Sequence, residues 1–217
     1  MRTGMEWDEW YHQQCVGVAK KSQCLSRKIG SVLVKDKVIV SQGYNGPPRG
    51  VRTCDERWLV VGDPMLEYYN TKSRTPLSSL SKSSTIYKTE FEGKCPRYVK
   101  EMGFKSGQGL EWCVAGHAER NAIVNAARLG IEVKGSKLYM DCGIPCTPCL
   151  VEIINSGIEE IIVTKFEVYD PSALYLLKMS DLQIRMYTHL CKHENKKKSL
   201  GLSYNNLSHA CPDCGKI

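Results

Sequence analysis

The sequence predicts a three-layer α/β fold, with a mixed sheet of about five strands between helices. Two patterns in the 217-residue chain predict this class. Two β-branched runs separated by three polar residues indicate a β-hairpin early in the chain. Further on, strands and helices alternate, so the sheet should be mixed and should carry helices on both faces. The length fits one domain with a full hydrophobic core and some additions.

The first elements are a helix, a hairpin and a loop. A helix is predicted over residues 6–21, where apolar side chains recur at helical spacing. Strands are predicted over residues 29–34 and 38–44, with the polar residues 35–37 as their connection. Residues 43–50 contain three glycines and two prolines, which predicts a loop at the end of the second strand.

Residues 52–115 lack a regular pattern and are predicted to form an irregular insertion. Within them, residues 71–89 are rich in Ser, Thr and Lys, a composition typical of a surface loop. Residues 191–217 read as a separate short appendage. The expected organisation is therefore a domain over residues 1–190, which contains the insertion, followed by this tail.

Regular structure returns after the insertion as three helices and three strands. Gly130 and Gly157 follow the first two of these helices, and glycine commonly ends a helix. The predicted helices cover residues 117–129, 146–156 and 171–179, and the predicted strands cover residues 137–141, 159–164 and 183–187. With the hairpin, these strands complete the predicted sheet.

The chain carries a formal net charge of +7, which favours an anionic partner. Part of the excess lies in Lys192 and in residues 196–198, a run typical of a solvated tail. Aromatic residues do not interleave with basic ones, so nucleic acid is not the expected partner and a phosphorylated small molecule fits the charge. No apolar run approaches membrane-crossing length, and residues 1–10 lack the apolar stretch of a signal peptide. We expect a cytoplasmic protein without a membrane partner.

Eleven cysteines are many for a chain of this size and class. A reducing compartment does not maintain structural disulfides, so grouped cysteines are expected to be metal ligands. For any single cysteine the alternative is a buried thiol that packs as a small hydrophobe. We apply that interpretation to Cys15 and Cys142.

Two short segments combine the ligands of a catalytic zinc site. His117, Cys146 and Cys149 lie at the starts of two predicted helices, where a thiolate is favoured. One imidazole and two thiolates leave the fourth zinc position open for water. Glu119 is two residues from His117 and could move a proton of that water without being a ligand. Alone, His-x-Glu is a weak signal, and Cys-x-x-Cys is also compatible with redox chemistry or structural zinc. The two motifs in this order are a specific signal of a catalytic zinc site.

The pair resembles the signature of zinc-dependent nucleobase deaminases. Four segments also resemble, in order, the motifs of the deoxycytidylate (dCMP) deaminase family within the cytidine-deaminase superfamily. These are Ser-Arg-Lys-Ile-Gly-Ser-Val at 26–32, Gly-Tyr-Asn-Gly-Pro-Pro-Arg-Gly at 43–50, His-Ala-Glu-Arg-Asn-Ala-Ile at 117–123 and Pro-Cys-Thr-Pro-Cys at 145–149. The Gly-Tyr-Asn-Gly loop discriminates best, because transfer-RNA adenosine deaminases share the zinc motifs but lack this loop.

The resemblance implies a cytidine-deaminase-like fold and hydrolytic deamination of dCMP to dUMP with release of ammonia, which supplies dUMP for thymidylate synthesis. It also implies a role for each matched residue. His117, Cys146 and Cys149 would bind zinc, and Glu119 would move protons. Asn45 would bind the deoxyribose and Tyr169 would stack on the base. Ser26 and Arg27 would contact the phosphate. The alternatives are a solvent-facing strand residue for Arg27 and core packing for Tyr169.

The same resemblance implies an effector site around the Gly-Tyr-Asn-Gly loop, where dCTP with Mg²⁺ would activate the enzyme and dTTP would inhibit it. It also implies a homo-oligomer, namely a hexamer. Some viral relatives also accept dCTP, so a bifunctional dCTP/dCMP deaminase is an alternative. A polynucleotide deaminase acting on transfer RNA or single-stranded DNA is a second alternative. A non-enzymatic, zinc-stabilised binding protein is a third, and Glu119 argues against it because a structural site needs no proton shuttle.

Two further zinc sites are candidates. Cys24, Cys54, Cys95 and Cys113 could form a structural site that pins the insertion, and the resemblance matches the first two of them. In the tail, the spacing of Cys191, His193, Cys211 and Cys214 predicts a small zinc knuckle, because so short a segment cannot build its own core. The alternatives are ordinary buried thiols for the first set and a disordered tail for the second.

Overall fold

The computed structural model describes residues 5–57, 93–95, 97, 104, 108–168 and 170–187. The chain divides into two compact units. The first unit comprises Met1–Ser22, Ile29–Tyr44 and His117–Ile217, and the second comprises Gln23–Lys28 and Asn45–Gly116. The expected boundary at residue 190 and the tail from residue 191 lie outside the described residues, so this organisation stays a prediction.

A five-stranded mixed sheet forms the centre of the first unit, as predicted. Its order among the described residues is β2-β1-β3-β4-β5. The strands are β1 (Gly30–Lys35), β2 (Val38–Tyr44), β3 (Lys137–Met140), β4 (Glu160–Val163) and β5 (Gln183–Met186). β1 pairs antiparallel with β2 and β3, whereas β3–β4 and β4–β5 are parallel. The hairpin strand β2 is therefore one edge of the sheet.

The helices also follow the sequence prediction, with ends that differ by one or two residues. Those of the first unit are α1 (Trp7–Ala19), α3 (Ala118–Arg128), α4 (Thr147–Asn155) and α5 (Pro171–Met179). The second unit contains a short α2 (Cys54–Arg57) and a 3₁₀ turn (Leu110–Trp112). These two elements lie in the predicted irregular insertion. They were not predicted because three or four residues are too few to show a helical period.

The hairpin turn is shorter than predicted. Only Asp36 and Lys37 connect the strands, and both have positive φ, 50° and 65°. Two-residue turns of this kind match the right-handed twist of the flanking strands. The hydroxyl of Tyr11 donates a hydrogen bond to the carbonyl of Lys37 at 3.0 Å, so α1 holds the turn in place.

Two apolar clusters cover opposite faces of the sheet, which confirms the three-layer arrangement. Successive residues of β1 divide between them, because side chains alternate along a strand: Leu33 joins one cluster and Val32 the other. The first cluster packs β3 and β4 against α3, α4 and α5 through Leu138, Met140, Ile161, Ala122, Leu150, Ile153 and Ala173. The second packs Tyr139 and Ile162 against Tyr11 and Cys15 of α1.

An ion-pair network fastens α1 to the sheet. Arg185 of β5 donates to both carboxylate oxygens of Asp8, and the hydroxyl of Tyr139 donates to Asp8 Oδ1 at 2.7 Å. The Nε of Arg185 also donates to Glu160 Oε1 at 2.7 Å. Burial alone would raise the pKa of Asp8, but the hydrogen bonds from Arg185 and Tyr139 outweigh it and lower the pKa. The network therefore holds the first helix and the last strand together.

α3 lies unusually close to β2. A Cβ atom placed on Gly43 would overlap the carbonyl oxygen of Ala118 and the amide nitrogen of Ala122. The hydroxyl of Ser41 donates to the carbonyl of Ala122 at 2.7 Å on the same contact. Only glycine allows this approach, which fixes the start of α3 against the end of β2. Within the described part of the chain, none of the helices has the length and apolar content that a bilayer crossing requires.

Candidate active site

Three potential metal ligands meet at the starts of α3 and α4. His117 is the N-cap of α3, Cys146 is the N-cap of α4, and Cys149 lies in the first turn of α4. Nδ1 of His117 is 3.5 Å from the sulfur of Cys146 and 3.3 Å from that of Cys149, and the two sulfurs are 3.3 Å apart. Among the described residues this is the one group of three such ligand atoms within 4.8 Å of one another.

The spacing of the three atoms fits tetrahedral zinc. With Zn–S of about 2.3 Å and Zn–N of about 2.0 Å, ligand atoms of a tetrahedral site lie roughly 3.5–3.8 Å apart. The observed separations of 3.3–3.5 Å are within a few tenths of an ångström of that range. A pair of thiols and an imidazole is also the donor set that zinc prefers. The arrangement leaves one position of a four-coordinate ion without a protein ligand.

The charge balance of the three side chains suits a cation. The pKa of Cys146 falls to about 4, chiefly through its hydrogen bond with Cys149, although burial opposes the shift. The same hydrogen bond, together with burial, raises the pKa of Cys149. A dication bound here would displace the thiol protons and give two thiolates. The pKa of His117 is raised by its hydrogen bond with Cys146, while burial opposes the increase.

Glu119 lies beside this group but outside it. Its side chain is 5% exposed, and its Oε1 is 4.0 Å from Nδ1 of His117. Burial raises the pKa of the Glu119 carboxyl, and the nearby imidazole opposes the shift. A carboxyl whose pKa is raised towards neutrality can both accept and return a proton near physiological pH.

Two contacts outside the ligand set hold α4 in place. Nη2 of Arg120 on α3 is 2.7 Å from Oε1 of Glu152 on α4, so the two ligand-bearing helices are joined. Asp170 accepts hydrogen bonds from the backbone amides of Thr147 at 2.8 Å and Ser172 at 3.1 Å, so one carboxylate caps both α4 and α5. The sequence reasoning gave Asp170 no role. Its position just before Pro171 is typical of an N-cap, but nothing in the sequence indicates the second cap on α4.

The predicted sugar and phosphate residues lie together in the second unit. Asn45 is buried, and its side-chain amide donates to the carbonyl of Arg27 at 2.7 Å. Ser26 and Arg27 belong to the loop before β1, where Ser26 is half-buried and Arg27 is exposed. Arg27 faces solvent, as its alternative interpretation expected, but it precedes the strand, because β1 begins at Gly30. Tyr169 lies outside the described residues.

The four cysteines of the proposed structural site also belong to the second unit. Cys54 and Cys95 are buried, and Cys24 and Cys113 are half-buried. Burial, reinforced by charge on Cys95, Cys113 and Cys24, raises the pKa of Cys54 to about 11. The thiols therefore lie close enough to interact, although they are not as tightly grouped as the ligands at His117.

Hydrogen bonds hold the segments that carry these cysteines together. The amide of Gly93 donates to Asp55 Oδ1 at 2.9 Å, and Nη1 of Arg57 donates to the carbonyl of Trp112 at 2.9 Å. The tail ligands predicted at Cys191, His193, Cys211 and Cys214 lie outside the described residues. Of the two cysteines predicted to pack as small hydrophobes, Cys15 is fully buried and Cys142 packs half-buried against the core.

Fold and site together are those of a zinc-binding deaminase domain. Residues 5–165 match the family described as the cytidine and deoxycytidylate deaminase zinc-binding region, and the chain therefore belongs to this family. It is 28% identical to the deoxycytidylate deaminase of Schizosaccharomyces pombe over 182 residues, which cover 83% of this chain and 44% of that protein. It is 32% identical to the deoxycytidylate deaminase of Enterobacteria phage T2 over 160 residues, 70% of this chain and 76% of that protein.

A solved structure has the same fold. The dCMP deaminase of cyanophage S-TIM5, crystallised with dCMP and dUMP, superimposes with a TM-score of 0.53 at 19% identity, over 85% of this chain and all of that one. The sequence prediction of the family and of its fold is thus confirmed. The chain spans less than half the length of its Schizosaccharomyces pombe and Saccharomyces cerevisiae relatives, 44% and 45% respectively.

Proposed function

We propose that the protein hydrolyses dCMP to dUMP and ammonia, and so supplies dUMP for thymidylate synthesis. The observation that carries the proposal is the grouping of His117, Cys146 and Cys149 with the buried carboxyl of Glu119 beside them. A structural metal site has no use for such a carboxyl, whereas hydrolysis needs a group that moves protons. Relatives named deoxycytidylate deaminase, from yeasts and from a phage, support the choice of substrate.

In the proposed mechanism, His117, Cys146 and Cys149 hold the zinc and Glu119 moves the protons. When bound, zinc makes a water molecule acidic enough to act as a nucleophile near neutral pH. Glu119 would take one proton from the attacking water and deliver it to the ring nitrogen next to the reacting carbon, C4. A C4–O bond would form. Glu119 would then pass the remaining proton of the added hydroxyl to the exocyclic amino group, so that the C4–N bond breaks, ammonia leaves and C4 keeps the oxygen as a carbonyl.

The same proposal assigns the phosphate of dCMP to Ser26 and Arg27, the deoxyribose to Asn45 and the base to Tyr169. Its support is the hydrogen bond of 2.7 Å from Asn45 to the Arg27 carbonyl, which joins the two predicted substrate segments, and the exposure of Arg27 to an incoming anion. A guanidinium forms charge-assisted, bidentate hydrogen bonds with phosphate. Binding through the phosphate would orient the base for the reaction.

Activity on dCMP is expected to exceed activity on deoxycytidine, because only the nucleotide carries the phosphate. Arg27→Ala should lower kcat/KM for dCMP by about 10- to 100-fold, since a hydrogen bond to a charged group contributes about 1.5–3 kcal/mol. It should leave deoxycytidine turnover unchanged. Lys28→Ala removes the same charge from the neighbouring exposed residue and is the matched control. The measurement is the loss of cytosine absorbance. Equal efficiency on the nucleoside would contradict the phosphate assignment.

The same assay separates the alternatives. Consumption of dCTP at a comparable rate would identify a bifunctional dCTP/dCMP deaminase. Activity confined to transfer RNA or single-stranded DNA would identify a polynucleotide deaminase. Turnover of none of these substrates by zinc-loaded protein would favour the non-enzymatic binding protein.

We also propose a second, structural zinc bound by Cys24, Cys54, Cys95 and Cys113. A zinc dication held by four thiolates carries a net charge of about −2, which burial makes costly unless it is balanced. Two arginines provide that balance: Arg57 is 7% exposed and Arg97 is 6% exposed. Burial raises the pKa of both Cys54 and Cys95, and the charges of Arg57 and Arg97 oppose the increase at Cys54 and Cys95 respectively. Nearby cations favour thiolates, which zinc requires.

Purified protein is expected to hold at least two zinc ions per chain, and Cys54→Ser is expected to lose one of them. The variant should be less stable and more sensitive to protease, because a structural zinc contributes folding free energy. Cys15→Ser is the control, since Cys15 is fully buried but lies with the apolar cluster beneath α1. Zinc content is measured by elemental analysis. One zinc per chain, unchanged in Cys54→Ser, would contradict the second site.

Three further proposals rest on the sequence: the spacing of the tail ligands carries the first, and the family resemblance carries the effectors and the hexamer. The tail ligands Cys191, His193, Cys211 and Cys214 bind a further zinc, which removal of residues 191–217 would release. dCTP with Mg²⁺ activates and dTTP inhibits, with the effector site around the Gly-Tyr-Asn-Gly loop. The chain assembles into hexamers in the cytoplasm. Rate measurements with added dCTP and Mg²⁺, and the mass of the protein in solution, test the last two.

A further inference from the structure

Two asparagines on α3 make the same contact with β2, one helical turn apart. The side-chain amide of Asn121 donates to the carbonyl of Tyr44 at 2.8 Å. That of Asn125 donates to the carbonyl of Gln42 at 2.9 Å. Both side chains are half-buried. Positions 121 and 125 lie on one face of the helix, and their acceptors, Tyr44 and Gln42, are two residues apart along β2.

The two contacts differ in what they adjoin. Asn121 lies in the turn of α3 that carries Glu119, and its backbone amide donates to the carbonyl of His117 at 3.0 Å. Its acceptor, Tyr44, is the last residue of β2 and immediately precedes Asn45 in the chain. Asn125 makes its contact farther along both elements, one turn beyond the site on α3 and two residues earlier on β2. The two hydrogen bonds are thus of the same kind, but that of Asn121 lies in the catalytic turn and that of Asn125 lies one turn away from it.

We infer that Asn121 is a positioning residue for the reaction. Through Tyr44 it fixes the catalytic turn of α3 against the end of β2, within the first unit. The inference rests on the proposed dCMP deamination. A displacement of about 1 Å between reacting groups costs on the order of 10²-fold in rate, so one hydrogen bond at this junction affects turnover more than its share of stability suggests. Asn125 should contribute to stability alone.

The test compares Asn121→Ala with Asn125→Ala. Both should lower the thermal unfolding temperature by similar amounts, because each loses a hydrogen bond from a side-chain amide to a carbonyl of β2. Asn121→Ala should lower kcat/KM for dCMP by at least about tenfold with zinc content unchanged, since it removes positioning and no ligand. Asn125→Ala should stay within about twofold of the wild type.

A second pair of variants separates the hydrogen bond from side-chain packing. Asn121→Asp keeps the shape of the side chain but has no N–H to donate to the Tyr44 carbonyl. It should therefore be as impaired as Asn121→Ala, while Asn125→Asp controls for the added charge. Full activity of Asn121→Asp would overturn the inference, as would equal kcat/KM values for the two alanine variants.

A readout independent of activity is amide hydrogen exchange at residues 44–46. Exchange there should be faster in Asn121→Ala than in Asn125→Ala, because only the first variant frees the end of β2. Absence of dCMP turnover in the wild type would refute the proposed function, and the exchange comparison would still decide the role of Asn121. Equal exchange rates in the two variants would overturn that role.

Discussion

Glu119→Gln is expected to reduce the rate of dCMP deamination by at least about 10²-fold while leaving zinc content at the wild-type level. The amide has nearly the shape of the carboxylic acid but cannot move a proton between water, ring nitrogen and the departing amino group. Zinc should stay because the ligand atoms belong to His117, Cys146 and Cys149. The unfolding temperature should not fall, since burial already disfavours the ionised carboxylate at this position.

Glu159→Gln makes the same chemical change at an exposed position and is the control for it. Rates are measured under single-turnover conditions with dCMP, and zinc is counted on the same samples. A variant that loses zinc together with activity would show that Glu119 acts in zinc binding and not in proton transfer. A variant that retains more than about a tenth of the wild-type rate would show that Glu119 is not the group that transfers the protons.

Gly43→Ala is expected to be strongly disruptive for a substitution that adds a single methyl group. The added Cβ would overlap the backbone of α3 at Ala118 and Ala122, which cannot rotate away as a side chain could. Inserting a methyl group into so tight a contact costs about 1–3 kcal/mol or more in the free energy of unfolding. Because α3 begins at the catalytic turn, its displacement should also lower the rate by about 10²-fold.

The matched control is Gly17→Ala, in the last turn of α1, where no atom lies within 4 Å of the added Cβ. That substitution should raise the free energy of unfolding by about 0.5–1 kcal/mol, because alanine is the better helix former. Urea denaturation of both variants gives the comparison. Wild-type stability and activity in Gly43→Ala would mean that α3 and β2 can separate without cost.

Most of the fold could be predicted from the sequence because its signals are local. β-branched runs bounded by polar or glycine residues locate β1 and β2, and helical periodicity with terminal glycines locates α3 and α4. The grouping of His117 with Cys146 and Cys149 was predicted differently, by the resemblance of the two segments to the deaminase signature. Both segments begin helices, and the ligand types at those starts already define the donor set.

What the sequence could not predict depends on contacts between distant residues. The sequence near Asp170 does not indicate that its carboxylate also caps α4, and the sequence near Gly43 does not indicate that α3 approaches it closely. The same holds for Asn121, whose acceptor lies 77 positions away. The insertion illustrates a second limit, because α2 is too short to show a period and is held by hydrogen bonds from residues such as Gly93.

The ion pair between Asp8 and Arg185 also bears on how the chain folds during its synthesis. Its two residues are 177 positions apart, and α1 packs on the sheet face that β5 helps to complete. At translation rates of roughly 5–20 residues per second, about 10–35 s separate the appearance of the two partners on the ribosome. Throughout that interval α1 lacks its ion pair with β5. The contact between Asp8 and Arg185 therefore forms only after β5 has been synthesised.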